Sequence, residues 1–241
     1  MKKGIGIFDS GLGGLTVVKE VIKQLPAEDI YYLGDTAHVP YGTKSEESVK
    51  KFTLANLKFL TQYPLKLIII ACNTASAIAL NEIKQNFNIP IIGVINPSVE
   101  KAIISTKNKK IGVIGTSQTI RSKIYQKEIL SFSKEIKVFE KSCPLFVPLV
   151  EEGWLEQKIT FLIIRKYLAS LKRKNIDTLI LGCTHYPLLK NIIQKVMGEK
   201  VTLVDSAIFV AQKAKKNLAE KKLLSFSKKM EIVIFLLQIC Q

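Results

Sequence analysis

Two cysteines in this chain each close an aliphatic run and open a polar turn. Cys72 stands in Leu67-Ile-Ile-Ile-Ala-Cys72-Asn73-Thr74-Ala-Ser76, and Cys183 in Leu179-Ile-Leu-Gly-Cys183-Thr184-His185-Tyr-Pro187. A thiol has an ordinary pKa of about 8.5, close to working pH, so it can serve as an acid and its thiolate as a base. Free cysteine is also a common buried residue, and either one alone reads as readily as core. The matching placement and matching polar flanks point instead to a paired chemical function. His185 is placed to tune the Cys183 thiol or to protonate groups near it. Capping a helix is its plainer use. Asn73-Thr74 and Thr184-His185 supply amide, hydroxyl and helix-terminus donors able to fix a carboxylate between the two thiols.

Three further segments carry polar residues where the chain must turn. Phe8-Asp9-Ser10-Gly11-Leu12-Gly13-Gly14 follows an apolar run, and its glycines allow a tight turn and close approach of backbone to a ligand. It is not G-x-G-x-x-G and no P-loop lysine is present, so dinucleotide or ATP binding has little support. Asp9 fits as a charge-tuning group, as the partner of a substrate ammonium, or as a residue that orders the turn. Gly34-Asp35-Thr36-Ala37-His38-Val39-Pro40-Tyr41-Gly42 reads as a shaped loop at a strand end, where function concentrates. Val147-Pro148-Leu149-Val150-Glu151-Glu152-Gly153 places two carboxylates after an apolar segment, a pattern that by itself reads as solvated surface.

The elements that must hold these residues follow from periodicity. Strand-like runs lie near 4–8, 30–33, 66–71, 90–95, 111–115, 136–140, 178–182 and 201–204. Helical stretches lie near 15–24, 45–61, 76–86, 97–105, 119–131, 156–173, 188–197 and 207–221. This alternation predicts an α/β fold with doubly wound parallel sheets. Ile5-Gly-Ile-Phe-Asp9-Ser10 resembles Ile111-Gly-Val-Ile-Gly115-Thr116, so the chain reads as two similar α/β units. Pro97 after Asn96 marks a crossing between them, and Asp205-Ser206 a return. The units are then 1–96 plus 206–241, and 97–205. Ligands bind open α/β sheets at the carboxyl ends of the strands, and two such units facing each other bring both cysteines to one cleft.

Composition narrows the class. The chain has 241 residues, 47% of them hydrophobic, enough for one large or two modest cores. Four dispersed cysteines (Cys72, Cys143, Cys183, Cys240) do not make a secreted disulfide framework. With no C-x-x-C pair and only His38 and His185, a zinc site is not expected. Met1-Lys-Lys leads directly into a glycine-punctuated strand without the apolar core of a signal peptide, and the longest apolar run, 232–237, is far too short to span a bilayer. A reduced cytoplasm is the expected location. The net charge of +16 invites a nucleic-acid reading, but arginine occurs only at 121, 165 and 173 and the lysines are spread over helix faces without aromatic interleaving. Solvated lysine faces explain it better, and a positive field favours an anionic small substrate.

Together the motifs resemble those of the glutamate racemases, cofactor-independent bacterial enzymes of the aspartate/glutamate racemase superfamily. The resemblance rests on Phe8-Asp-Ser-Gly-Leu-Gly-Gly, Gly34-Asp-Thr-Ala-His-Val-Pro-Tyr-Gly42, Ala71-Cys-Asn-Thr-Ala-Ser, Leu181-Gly-Cys-Thr-His-Tyr-Pro-Leu and Val204-Asp-Ser-Ala, and covers residues 1 to about 225. It implies two α/β domains related by pseudo-twofold symmetry with the active site between them, glutamate as substrate, no cofactor and no metal. It also implies a role in supplying D-glutamate for peptidoglycan. By resemblance Cys72 and Cys183 are the catalytic thiols, Cys72 acting on D-glutamate and Cys183 on L-glutamate. Asp9, His185 and one carboxylate of the Glu-Glu pair, Glu152 preferred, are the assisting groups. Asp9-Ser10, Tyr41-Gly42, Asn73-Thr74 and Thr184-His185 are the substrate contacts, joined by Thr116 and Thr119.

The closing segment Met230-Glu-Ile-Val-Ile-Phe-Leu-Leu-Gln-Ile-Cys-Gln241 departs from the family pattern, which continues into a turn and a covering helix. A single strand with an uncovered apolar edge is expected there. An aspartate racemase, a non-catalytic amino-acid-binding protein and a DNA-associated regulator are the competing functions. Oligomeric state is left open, a homodimer included.

Overall fold

The computed structural model of the chain describes residues 3–225 and 233–237; Cys240 and the rest of the closing segment lie outside the described residues. The first strand, β1 (Gly4–Asp9), is followed by α1 (Leu15–Gln24), β2 (Ile30–Gly34), α2 (Glu46–Leu60), β3 (Leu65–Ile70), α3 (Asn73–Ile78), α4 (Leu80–Ile83) and β4 (Ile91–Gly93). Next come α5 (Ile95–Ser105), β5 (Lys110–Gly115), α6 (Ser117–Arg121), α7 (Ile124–Phe132), β6 (Lys137–Ser142) and α8 (Phe146–Glu151). The chain continues through α9 (Lys158–Arg173), β7 (Thr178–Gly182), α10 (Lys190–Met197), β8 (Thr202–Asp205), α11 (Ser206–Glu220) and β9 (Val233–Leu237).

Every strand pair is parallel, in two sheets of order β4-β3-β1-β2-β9 and β6-β5-β7-β8. Apart from β9 the two sheets have the same topology. β1 and β5 occupy the equivalent inner position, flanked by β2 and β6 on one side and by β3 and β7 on the other. The expected twofold-like repeat of α/β units is therefore present. Cys72 follows β3 and Cys183 follows the equivalent strand β7.

The aliphatic runs form strands because both faces of each sheet are covered, which rewards unbroken apolar sequence over alternation. In the first sheet Ile5, Ile7, Leu67 and Ile69 pack under α1 and α11. Phe8, Ile68 and Ile70 pack under α2 and α3 on the other face. In the second sheet Leu179 and Leu181 join Ile164, Leu168 and Ile193 on one side, while Ile111, Val113 and Ile180 join Val99 and Ile129 on the other.

Departures from the expected elements are local, and two bear on the site. The helix after Cys72 begins at Asn73 rather than near 76, which makes Cys72 its N-cap. The 119–131 stretch is broken by Lys123, at φ 58°, into α6 and α7. The segment leading from α11 towards β9 is tied to the sheet by a buried ion pair, Lys66 Nζ to Glu28 Oε2 at 2.5 Å, with Ser225 N and Oγ donating to the same carboxylate. β9 pairs with β2 as an edge strand. Phe235 and Leu237 remain 55% and 49% exposed beside a cavity of about 470 Å3 lined in part by Leu33 and Phe59. No described helix is long and apolar enough to cross a membrane.

Candidate active site

Each cysteine stands directly after its strand, at the carboxyl end of its sheet. Cys72 caps α3: its sulfur accepts from Ala75 N at 3.5 Å, and its thiol donates to Ser10 Oγ at 3.4 Å. Burial pushes the Cys72 thiol up to about 11, and the nearby Asp9 carboxylate adds to the rise. Ser10 and the backbone N–H groups of Ala75 and Thr74 oppose it. Desolvation penalises the thiolate more than one helix terminus favours it.

Cys183 is followed by a tight turn and the 3-10 helix Tyr186–Leu189 instead of an α-helix. Its sulfur lies 3.8 Å from His185 Nδ1, and His185 Nε2 lies 3.4 Å from Glu151 Oε1. Burial again dominates and raises the thiol above Cys72; the His185 backbone N–H lowers it, while Cys72, Asp9 and Glu151 raise it further. Burial and the Asp9 carboxylate are thus common to both thiols.

Asp9 joins them. It is fully buried at the end of β1, accepts from Gly11 N at 3.0 Å and from Thr184 Oγ1 at 3.3 Å, and is held above the usual carboxylate range by that burial, with His185 opposing. Thr16 Oγ1 adds a second bond between the units, donating to Thr184 O at 3.0 Å. The glycine loop serves this junction. A Cβ added to Gly13 would lie 2.5 Å from His185 Nδ1, so only glycine lets the loop close against the imidazole. Likewise a Cβ on Gly42 would lie 2.7 Å from Thr116 Cβ.

The remaining expected contacts assemble around this centre. Thr74, Thr116 and Thr119 bring three hydroxyls within 2.9 to 3.1 Å of one another across the units. Asn73 is 2% exposed; its Oδ1 accepts from Tyr125 Oη at 2.6 Å, and its Nδ2 is buried without a partner among the described residues. Tyr41 differs from the others. Its hydroxyl donates into the core, to Asp35 Oδ2 at 2.6 Å, so only the backbone of the Tyr41–Thr43 turn can face the cleft. A cavity of about 480 Å3, lined by Gly11, Leu12, Gly13, Val150, Glu151 and His185 among others, opens onto the site.

Of the two adjacent carboxylates, the structure places Glu151 against His185, not the Glu152 that the resemblance preferred. Glu151, the last residue of α8, reaches His185, whereas Glu152 caps the helix beyond it and lies on the exposed surface. No local signal separates the two carboxylates, which both follow the apolar run directly; the packing of α8 against the Tyr186–Leu189 turn selects Glu151. Tyr125 and Thr16 also escaped the sequence reading, because each acts across the interface between units. Among the described residues no cluster of three or more His, Cys, Asp or Glu side chains is placed to hold a metal ion.

Comparison with known proteins fits this geometry. The sequence profile of the family described as Asp/Glu/Hydantoin racemase matches residues 5–214. A glutamate racemase of Geobacter metallireducens is 54% identical over 205 residues, covering 85% of this chain and 76% of that protein. The crystal structure of glutamate racemase isoform RacE1 from Bacillus anthracis superposes with a TM-score of 0.95 at 42% identity, covering 98% of this chain and 89% of that one. The glutamate racemase of Francisella tularensis, crystallised with D-glutamate, superposes at 0.92 with 41% identity, over 100% of this chain and 89% of that one.

Proposed function

This chain belongs to the Asp/Glu/hydantoin racemase family, and we propose that it interconverts L- and D-glutamate without a cofactor, using Cys72 and Cys183 as the two acid/base groups. The observation that carries this reading is the pair of buried thiols at topologically equivalent strand ends, with the buried Asp9 carboxylate, bonded to Thr184 beside Cys183, at the end of the strand next to that of Cys72. One thiolate takes the α-proton and becomes a thiol; the opposite thiol gives its proton to the other face of the carbanion and becomes a thiolate. The enantiomer is formed, and the enzyme is left with its charges exchanged until a proton returns through solvent. Following the resemblance, Cys72 acts on D-glutamate and Cys183 on L-glutamate.

Magnitudes say what the substrate itself must supply. With Cys72 pushed up to about 11, forming its thiolate near pH 8 costs roughly 4 kcal/mol at 1.36 kcal/mol per pH unit. The N–H groups at the start of α3 already contribute to that value, so the cost remains to be met by something else. A unit positive charge about 4 Å away contributes on the order of 4 kcal/mol at an effective dielectric constant near 20. The substrate ammonium is a charge of that size, so binding glutamate is what brings a thiolate within reach. Asp9, buried close to both thiols, offsets part of the ammonium's charge and keeps it from over-stabilising the thiolate. The hydroxyls of Thr74, Thr116 and Thr119 and the Asn73 amide are donors for the substrate carboxylates, on which charge accumulates as the α-proton leaves.

On this reading residues 1–96 with the C-terminal segment form one domain and 97–205 the other, and the product feeds peptidoglycan synthesis in the cytoplasm. The activity is tested by incubating the purified chain with L-glutamate and following optical rotation, without pyridoxal phosphate and after dialysis against a chelator. Rotation decaying to zero is expected. No decay with L-glutamate but decay with L-aspartate would reassign the substrate, and activity recovered only on adding a metal would overturn the cofactor-free mechanism.

A further inference from the structure

Tyr125 belongs to α7, in the same unit as Cys183, yet its hydroxyl ends at the other strand end. The ring is fully buried and lies against Gly182, the residue before Cys183, where a Cβ would come within 3.2 Å of the ring's Cε2. Its O–H donates to Oδ1 of Asn73, the residue after Cys72, at 2.6 Å. Ser98 and Ser206, buried at the starts of α5 and α11, the helices that connect the two sheets, donate their hydroxyls to Val94 O and Leu181 O, which leaves Asn73 as the partner of the phenol.

An asparagine amide has one accepting end and one donating end, and a flip exchanges them. A donor fixed on one side decides which end faces away. Tyr125 binds the oxygen, so Nδ2 faces elsewhere, and there it is buried with no hydrogen-bond partner among the described residues. A buried unpaired N–H is disfavoured unless something completes it, and a polar orphan at a binding site marks where a ligand acceptor goes. Resting on the proposed glutamate reading, we infer that Tyr125 is a positioning residue: it locks the Asn73 amide so that Nδ2 donates to a substrate carboxylate oxygen. Without the phenol the amide is free to turn Oδ1 towards the carboxylate, where it repels. The bond also makes one side of the substrate site depend on the docking of the other unit.

Two variants and one double variant test this, with D-glutamate affinity read by calorimetry and KM and kcat by racemisation. Tyr125→Phe keeps the buried ring and removes only the donor. It is expected to raise both Kd and KM about tenfold, as loss of one well-placed hydrogen bond to a charged group does. Asn73→Ala is expected to weaken binding at least as much, and adding Tyr125→Phe to it should change Kd and KM by less than about twofold. Asn73→Asp keeps an acceptor for Tyr125 but turns an oxygen towards the substrate, so binding should fall as far as in Asn73→Ala; this arm holds even if Tyr125→Phe folds poorly. Unchanged Kd and KM in Tyr125→Phe with only a lowered melting temperature would overturn the inference, as would parent-like binding by Asn73→Asp. Additive losses in the double variant would overturn it too. A parent chain that neither binds nor racemises glutamate would overturn the functional reading and this inference with it.

Discussion

The two thiols occupy equivalent positions in equivalent sheets, yet their surroundings differ in kind. Cys72 is served by backbone and hydroxyl groups: the start of α3 and the Ser10 hydroxyl. Cys183 has no α-helix behind it and is served by the imidazole of His185, itself paired with Glu151. Burial raises both, and raises Cys183 further. A repeated topology thus fixes where the acid/base groups stand, while the means of managing their charge is set separately in each half. The half without a helix terminus uses an imidazole backed by a carboxylate.

The sharpest break in this comparison is removal of either thiol. Cys72→Ser and Cys183→Ser are each expected to lower turnover by roughly 10²–10⁴, the usual worth of a positioned proton-transfer group. Cys143, the third described thiol, is also buried and pushed up to about 12, but its sulfur is directed to Lys141 O, and among the described residues it makes no hydrogen bond to Cys72, Cys183, Asp9 or His185. Cys143→Ala should therefore keep parent-like turnover per folded molecule. Retention of more than about a tenth of the activity by either serine variant would end the two-thiol account.

The difference between the halves shows next in His185 and its partner. His185→Gln should lower kcat by about one to two orders of magnitude. The overall equilibrium constant of a racemisation is one, so kcat/KM must fall equally in both directions. Asymmetry can appear only in kcat and in the isotope effect of α-deuterated substrate, and both should change more from L-glutamate. Glu151→Gln should follow the same pattern more weakly, with Glu152→Gln weaker still. Equal kcat losses from both enantiomers in His185→Gln would mean that the imidazole serves the two thiols alike.

The pH profile sharpens the electrostatic side. A thiol raised to about 11 yields a thiolate fraction that grows about tenfold per pH unit below that value. The logarithm of kcat/KM is therefore expected to rise with a slope near one until the substrate ammonium begins to lose its proton, identically from both enantiomers. A plateau below about pH 8 would show that the free enzyme already holds a thiolate and that burial does not govern Cys72. Asp9 gives the smallest effect. Its folded pKa lies above the ordinary 3.8, so the folded state binds its proton more tightly than the unfolded chain and loses that advantage as pH rises through the folded value. Asp9→Asn should raise the melting temperature at neutral pH, and the gain should vanish below about pH 4. Thermal scans across pH would show it, and a variant less stable than the parent at pH 7 would mean that the Gly11 and Thr184 bonds outweigh the desolvation of Asp9.

Much of the fold was legible because its signals are local. Unbroken aliphatic runs marked strands covered on both faces, and eight expected strands lie within two residues of those observed. The internal likeness of Ile5–Ser10 and Ile111–Thr116 was legible for the same reason, since both segments meet the same packing in equivalent strands. The break at Lys123 and the early start of α3 were not, because one backbone angle or one capping sulfur decides them.

The sequence by itself determined which residues stand at the strand ends: Asp9, Cys72, Asn73, Thr116, Cys183 and His185 each follow directly from where an apolar run stops. Only the tertiary structure decided what those residues do to one another. Glu151 rather than Glu152 reaches His185 because the packing of α8 against the Tyr186–Leu189 turn selects one of two adjacent carboxylates. Gly13 is required by an imidazole 172 positions away in the chain, and the Asn73 amide is oriented by a phenol from the other unit. Even the direction of the thiol shifts is a tertiary property, because desolvation is imposed by neighbours that the local sequence does not name.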